Sequence, residues 1–232
     1  MVPGAGSGER LGAGVPKALV SLAGRPMVAW CLAALAAAES IDDVVLAAPP
    51  GSEDELERVA AEAAPGLPVT VVTGGKSRSE SVAIALASAG GDLIAVHDAA
   101  RPLLEPELAD RCVERLRHWQ CDGVVAAARA VDAVKESDSG GRVLATLERS
   151  NLWTVQTPQV FGAEILRRAL AGPDLERAYD DAQLVEDAGG DVRIVEAPRH
   201  NLKVTSPTDL RIAELLLADR RGDDRGARAS AC

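Results

Sequence analysis

Short apolar runs alternate along this chain with amphipathic stretches, and that alternation limits the fold more than any other feature. Val44–Ala48, Val69–Thr73, Leu93–Val96, Val124–Ala128 and Arg193–Glu196 read as strands. Most lack polar alternation, as expected for strands covered on both faces. Between them, Met27–Ala38, Glu53–Ala64, Ser79–Ala89, Pro106–Trp119, Ala163–Ala171, Arg177–Ala188 and Pro207–Ala218 carry helical periodicity. The last has a strong start signal, with Ser206 as N-cap, Pro207 at the first helical position and Asp209 at the third. The pattern predicts an α/β fold with a mostly parallel sheet between helices.

Two regions depart from this rhythm. Residues 130–152 contain no helical pattern, and Ser139-Gly140-Gly141 sits between the runs Val131–Lys135 and Val143–Glu148. This predicts a β-hairpin inserted in the core, which packs either on a partner subunit or back over its own sheet. The segment 219–232, rich in Arg, Asp, Gly and Ala, is expected to be a flexible tail after a single domain over 1–218. At the other end only Met1 and Val2 precede Pro3. The first strand is therefore short at this point of the sequence, or continues upstream.

Composition excludes several function classes. With 25 Lys and Arg against 35 Asp and Glu the 232-residue chain has net charge −10, and aromatics are 2%. A general nucleic-acid binder needs basic runs or stacking rings, and neither is present. There is no apolar run long enough for a membrane span and no signal peptide, so a cytoplasmic location is expected. Cys31, Cys112, Cys121 and Cys232 show no metal-ligand or disulfide spacing. A small anionic substrate remains open, because a few convergent cations can make a local positive pocket.

The densest glycine cluster is Gly4-Ala5-Gly6-Ser7-Gly8-Glu9-Arg10-Leu11-Gly12. Glycines let backbone N–H groups converge on an anion. A dinucleotide fingerprint would need G-x-G-x-x-G and an acid about 20 residues on, and both are missing. Gly74-Gly75-Lys76-Ser77 imitates a Walker A ending, but Thr70 stands where its first glycine belongs. Arg10 and Lys17, with Pro16 between them, instead place two cations beside the glycines, which suits a triphosphate. The rival reading is a surface loop with stray cations.

Three further segments fall at strand ends. His97-Asp98-Ala99-Ala100-Arg101-Pro102 follows Leu93–Val96, placing Asp98 where a hydroxyl or metal ligand is useful and Arg101 where it can fork onto phosphate. An Asp cap paired to Arg is the plainer alternative. Asn201-Leu202-Lys203-Val204-Thr205 adds a cation, and Gly75, Arg78 and Ser81 mark a turn able to read a base edge.

In this order the segments resemble the 2-C-methyl-D-erythritol 4-phosphate cytidylyltransferase family. The likeness rests on Pro3–Arg10, Pro16-Lys17, Gly74-Gly75 with Arg78 and Ser81-Val82, His97–Pro102, Leu152-Trp153 with Gln156–Gln159, and Asn201–Thr205. The resemblance implies a Rossmann-like nucleotidyltransferase fold with a protruding β-arm over about 130–152, a homodimer, CTP as donor and Mg²⁺ as cofactor. It implies catalytic roles for Arg10, Lys17 and Lys203 on the triphosphate. CTP binding would fall to Pro3, Gly4, Ala5, Gly6, Ser7, Gly8, Gly75, Ser81, Asp98 and Ala99. Asp98, Arg101, Arg149 of the neighbouring subunit's arm and Thr157 would meet the acceptor, with Asp98 also the candidate metal ligand. Ala178-Tyr179-Asp180-Asp181 departs from the family's more usual Thr-Asp pattern on the acceptor side. Rivals are a ribitol 5-phosphate cytidylyltransferase, an NAD-dependent dehydrogenase and a non-catalytic nucleotide-binding subunit.

Overall fold

The structure is a computed structural model describing residues 1–6, 8, 11–12, 14–172 and 178–230, the last ten as backbone only. Its first half lays down β1 (Val2–Pro3), the short hairpin β2 (Ser21–Leu22) and β3 (Arg25–Pro26), α1 (Met27–Ala37), β4 (Val44–Ala48) and α2 (Glu53–Ala63). β5 (Val69–Thr73), α3 (Arg78–Ser88), β6 (Leu93–Val96) and α4 (Pro106–Trp119) follow. The second half contains β7 (Gly123–Arg129), β8 (Lys135–Ser137), β9 (Val143–Thr146), β10 (Trp153–Gly162), α5 (Ala163–Leu170), α6 (Asp181–Asp187), β11 (Val192–Glu196) and α7 (Pro207–Ser230).

β1, β4 and β5 pair in parallel, as do β7 and β11, while β10 runs antiparallel between β6 and β7. Met1 joins the two ladders: its amine donates to the Ala95 carbonyl, and its carbonyl accepts the His97 N–H at 2.9 Å. Below it a cavity of about 310 Å³ separates Val44–Val45 from Leu93–Ile94.

Both faces of the sheet are covered, which explains the unalternated strands. Val44, Leu46, Val124, Ala126 and Val160 face α1, α2 and α4 through Leu32, Leu56, Leu108 and Leu116. Their neighbours Val45, Ile94, Val125 and Phe161 face α3, α5 and α6 through Val82, Leu166 and Val185. A third cluster seats α7 on the β2–β3 hairpin, with Ala213 and Leu217 against Val20, Leu22 and Met27. Ser206 caps α7 as the sequence predicts: its Oγ accepts the Asp209 N–H, and Asp209 Oδ2 accepts the Ser206 N–H at 2.8 Å.

Four differences from the sequence reading stand out. β10 has no counterpart among the predicted strands. Its register shifts between Val155 and Gln159, where the Thr157–Pro158 peptide is cis, so Pro158 takes no ladder position. The hairpin forms over the narrower β8 and β9 around the expected Gly-Gly turn. Described residues place the start of α6 at Asp181, while Arg177 lies outside them. Helix α7 continues past Ala218, because Arg220 donates to the Leu103 carbonyl at 3.0 Å and meets Glu105 at 3.3 Å. No helix among the described residues is long and apolar enough to cross a membrane.

β7 packs so closely on β10 that a Cβ at Gly123 would lie 2.6 Å from Cδ1 of the fully buried Phe161. Gly123→Ala is expected to destabilise the protein by about 1–3 kcal/mol through overpacking. Denaturant unfolding measures this, and an unchanged midpoint would mean the Phe161 ring yields without strain.

Candidate active site

β1, β4, β5 and β6 end at the same edge of the sheet, and their loops enclose a pocket of about 840 Å³. Open α/β sheets bind ligands at this carboxyl edge. The glycine loop is tied to β4 by a bond from Gly4 N–H to Ala47 O at 2.9 Å and folded back on itself by one from Lys17 N–H to Gly6 O at 3.0 Å. Gly8 has φ 75°, and a Cβ there would lie 3.0 Å from the Val15 carbonyl, so only glycine lets the loop close this tightly. On the opposite wall a Cβ at Gly74 would meet Ala5 Cβ at 2.5 Å, bringing the two loops together.

That second loop is built from its own polar atoms. Ser77 caps α3 by accepting the Glu80 N–H, and Glu80 accepts the Lys76 N–H at 2.7 Å. Buried Ser81 accepts the Gly75 N–H at 3.1 Å and donates to Ser77 O at 2.8 Å. Gly75 and Ser81 therefore line the pocket while shaping the turn, and both of these groups are already engaged in holding it.

Asp98 faces the pocket from the end of β6. Its Oδ1 meets Arg78 Nε at 2.9 Å, and its Oδ2 meets Lys203 Nζ at 2.8 Å and Arg101 Nε at 3.9 Å. Burial opposes the charge, but Arg78 and Lys203 overcome it and hold the carboxyl well below the usual range. Arg78 also reaches Asp181 Oδ2 at 2.8 Å. Sequence reasoning marked Arg78 only as part of a turn and gave Asp181 no partner.

The loop under Asp98 is fixed from behind. His97 Nε2 lies 3.1 Å from the Arg101 carbonyl, which can only accept, so the ring proton is on Nε2. Nδ1 then accepts from Thr157 Oγ1 at 3.0 Å, and the same hydroxyl accepts the Asp98 N–H. Thr157 is thus buried, its hydroxyl engaged by His97 and by the Asp98 N–H. Arg101 is 8% exposed, and its Nη1 and Nη2 donate to the Asn201 and Val155 carbonyls. The buried Cys31 thiol lies 3.4 Å from the Ala99 and Arg101 carbonyls, and burial pushes its pKa far up.

Of the candidate residues, Pro3, Gly4, Ala5, Gly6, Gly8, Lys17, Gly75, Ser81, Asp98, Ala99 and Lys203 line this pocket. Ser7 and Arg10 lie outside the described residues. Arg149 is exposed on the arm, donating to the Val131 carbonyl, and does not reach this pocket. Tyr179 is 96% exposed, so its hydroxyl plays no part in it.

The described lining contains no His, Cys or Tyr, and sets Lys17, Lys76, Arg78 and Lys203 against Glu80 and Asp98. This is a positive pocket in an acidic chain, suited to stabilising phosphate charge. Its described residues offer no activated nucleophile. Among the described residues no three His, Cys, Asp or Glu side chains are grouped as metal ligands. Asp98 and Glu80 are the carboxylates of the described lining, and since both Asp98 oxygens already meet cations, a hard divalent ion fits with Asp98 as at most one ligand and substrate phosphates as the others, the usual manner of Mg²⁺.

The His97 network makes a pH prediction. Burial outweighs the Arg101 carbonyl bond and lowers the His97 pKa to about 4. An unfolded histidine titrates at about 6.5. Between those values only the unfolded chain binds the proton, so stability falls as pH drops from about 6.5 towards 4 and is flat for this group above that window. Denaturant unfolding across pH 4–8 is expected to show this slope weakened in His97→Gln; an equal slope in both proteins would contradict a neutral buried imidazole.

Comparisons with known proteins agree with this geometry. The family profile described as IspD, 2-C-methyl-D-erythritol 4-phosphate cytidylyltransferase, matches residues 1–219. A relative of that description from Synechococcus elongatus is 41% identical over 225 residues, covering 95% of this chain and 96% of its own. The crystal structure of the 2-C-methyl-D-erythritol 4-phosphate cytidylyltransferase from Thermus thermophilus aligns with TM-score 0.75 at 33% identity, over 93% of this chain and 96% of that one. The 4-diphosphocytidyl-2C-methyl-D-erythritol synthase from Anaerococcus prevotii aligns with TM-score 0.81 at 25% identity, over 94% of this chain and 96% of that one. With its fold, its phosphate-suited pocket and these likenesses taken together, the chain belongs to the 2-C-methyl-D-erythritol 4-phosphate cytidylyltransferase family.

Proposed function

We propose that the protein transfers CMP from CTP to 2-C-methyl-D-erythritol 4-phosphate, releasing pyrophosphate and forming 4-diphosphocytidyl-2-C-methyl-D-erythritol. The observation that carries this reading is the pocket lined by Lys17, Lys76, Arg78 and Lys203, whose described lining includes no His, Cys or Tyr, in a chain of this family. A phosphomonoester dianion is already a nucleophile. One of its oxygens attacks the α-phosphorus of CTP, a new P–O bond forms, and the bond to the β-phosphate bridging oxygen breaks. The electron pair leaves on pyrophosphate, and no proton need be removed.

The barrier is electrostatic, since two anions must meet and charge builds on the α-phosphoryl oxygens and the leaving group. Lys17 and Lys203, which line the pocket, would meet that charge, and the family resemblance gives Arg10 the same role. The glycine loop and the turn at Gly75 and Ser81 would form the walls around the nucleotide, with Asp98 and Ala99 at its ribose. Asp98 would also hold Mg²⁺, which when bound with the triphosphate neutralises part of its charge. Arg101 stands behind Asp98 on the acceptor side.

The arm supplies the remaining acceptor contact. Val143 and Leu144 on β9 are 56% and 59% exposed, and Arg149 beside them does not reach the pocket of its own chain. An exposed apolar hairpin suits a two-fold homodimer in which each Arg149 serves the partner's pocket.

Lys203→Ala and Arg10→Ala are each expected to lower turnover by about 10²–10³, the usual cost of losing a donor to developing charge. Near-normal turnover in both would remove their roles. Arg149→Ala is expected to raise KM for the acceptor more than for CTP. Because each site draws Lys203 from one chain and Arg149 from the other, an equal mixture of Lys203→Ala and Arg149→Ala subunits should regain about a quarter of wild-type activity after exchange. Absence of recovery in a mixture shown to exchange would contradict the shared site.

A further inference from the structure

The placement of Asp181 is not accounted for by folding. It lies at the first turn of α6, is 0% exposed, and its Oδ1 has no hydrogen-bond partner. Its one ion contact among the described residues is Arg78 Nη1 at 2.8 Å. The start of the helix does not require it. Asp180 is the N-cap, accepting the Gln183 N–H at 2.9 Å, and Gln159 holds the Ala182 N–H and Asp180 Oδ2. A buried ion with an unmade bond is costly, and asparagine of the same shape would avoid placing a charge there. The charge therefore acts on something: its one ion contact among the described residues is the guanidinium of Arg78, and it also attracts the buried Met1 amine without touching it.

That guanidinium is divided between two carboxylates. Its Nε contacts Asp98 Oδ1 at 2.9 Å, while its Nη1 is held by Asp181. Guanidinium and carboxylate otherwise favour two parallel bonds. An Arg78 released from Asp181 is able to turn that second arm onto Asp98 Oδ2, the oxygen that holds Lys203 at 2.8 Å. Resting on the function proposed above, we propose that Asp181 is a positioning residue for CMP transfer. By keeping one arm of Arg78 occupied, it limits Arg78 to a single contact with Asp98 and reserves the second Asp98 oxygen for Lys203. Asp181 does not line the pocket and acts only through Arg78.

The test is a double-mutant cycle read in steady-state pyrophosphate release with CTP, Mg²⁺ and 2-C-methyl-D-erythritol 4-phosphate. Asp181→Asn is expected to lower kcat about tenfold with KM for CTP changed less than about threefold, the pattern of a group needed in the transition state. Lysine cannot fork, so in an Arg78→Lys background the added Asp181→Asn change should cost less than about twofold. Asp181→Ser, neutral and smaller, gives the same comparison if Asn does not fold. Unchanged kcat in folded Asp181→Asn, or an equal loss in both backgrounds, would overturn the proposal. A wild-type protein that binds CTP but releases no pyrophosphate would instead overturn the function on which it rests.

Discussion

Asp98 leaves the end of β6 with its carboxylate almost out of solvent and gathers Arg78, Lys203 and, more distantly, Arg101 around it. Each cation comes from a different part of the chain: the start of α3, the loop before α7, and the turn just beyond Asp98. Without a central anion these cations would repel one another at close range in a poorly solvated space. With it, they are held together, and Arg78 and Lys203 line the pocket. A buried ion cluster of this kind contributes little to net stability and is better understood as a means of fixing geometry.

The fold supplies the reason the cluster forms where it does. Strands buried on both faces are rigid, and their carboxyl ends place four loops along one edge. Asp98 is anchored through its own N–H to Thr157, and Thr157 through its hydroxyl to a His97 whose tautomer is set by the Arg101 carbonyl. Asn201 ties the other side, donating to Gln156 Oε1 and the Thr157 carbonyl, so the loop carrying Lys203 cannot drift from Asp98. The chain's overall charge of −10 has little bearing on this pocket. Charge at a site is set by what the loops bring within a few ångströms.

Much of this was legible in the sequence, and the gaps have physical causes. Val44–Ala48, Val69–Thr73 and Leu93–Val96 match the observed strands residue for residue; the first is fully buried and reads as an apolar run, while the other two keep their β-branched and apolar character though partly exposed. β10 stayed hidden because Pro158 and the polar Gln156, Thr157 and Gln159 interrupt it. Gln156, Thr157 and Pro158 leave the ladder, where Thr157 anchors Asp98 and Gln156 meets Asn201, while Gln159 stays paired with Val96 and Val125. The pocket walls were legible because glycines and cations lie close together in sequence. Bonds across long sequence separations were not, among them Arg78 with Asp181 and His97 with Thr157. Nor does residue type show that Ser81 and Thr157, both natural ligand contacts, have their hydroxyls engaged within the protein.

The most direct test of this account is pyrophosphate release in the presence of Mg²⁺, with CTP, ATP, GTP or UTP as donor and 2-C-methyl-D-erythritol 4-phosphate or ribitol 5-phosphate as acceptor. Release that is fast only for CTP with 2-C-methyl-D-erythritol 4-phosphate is the predicted result. Release with ribitol 5-phosphate instead, or from no pair by a protein shown to be folded, would contradict it.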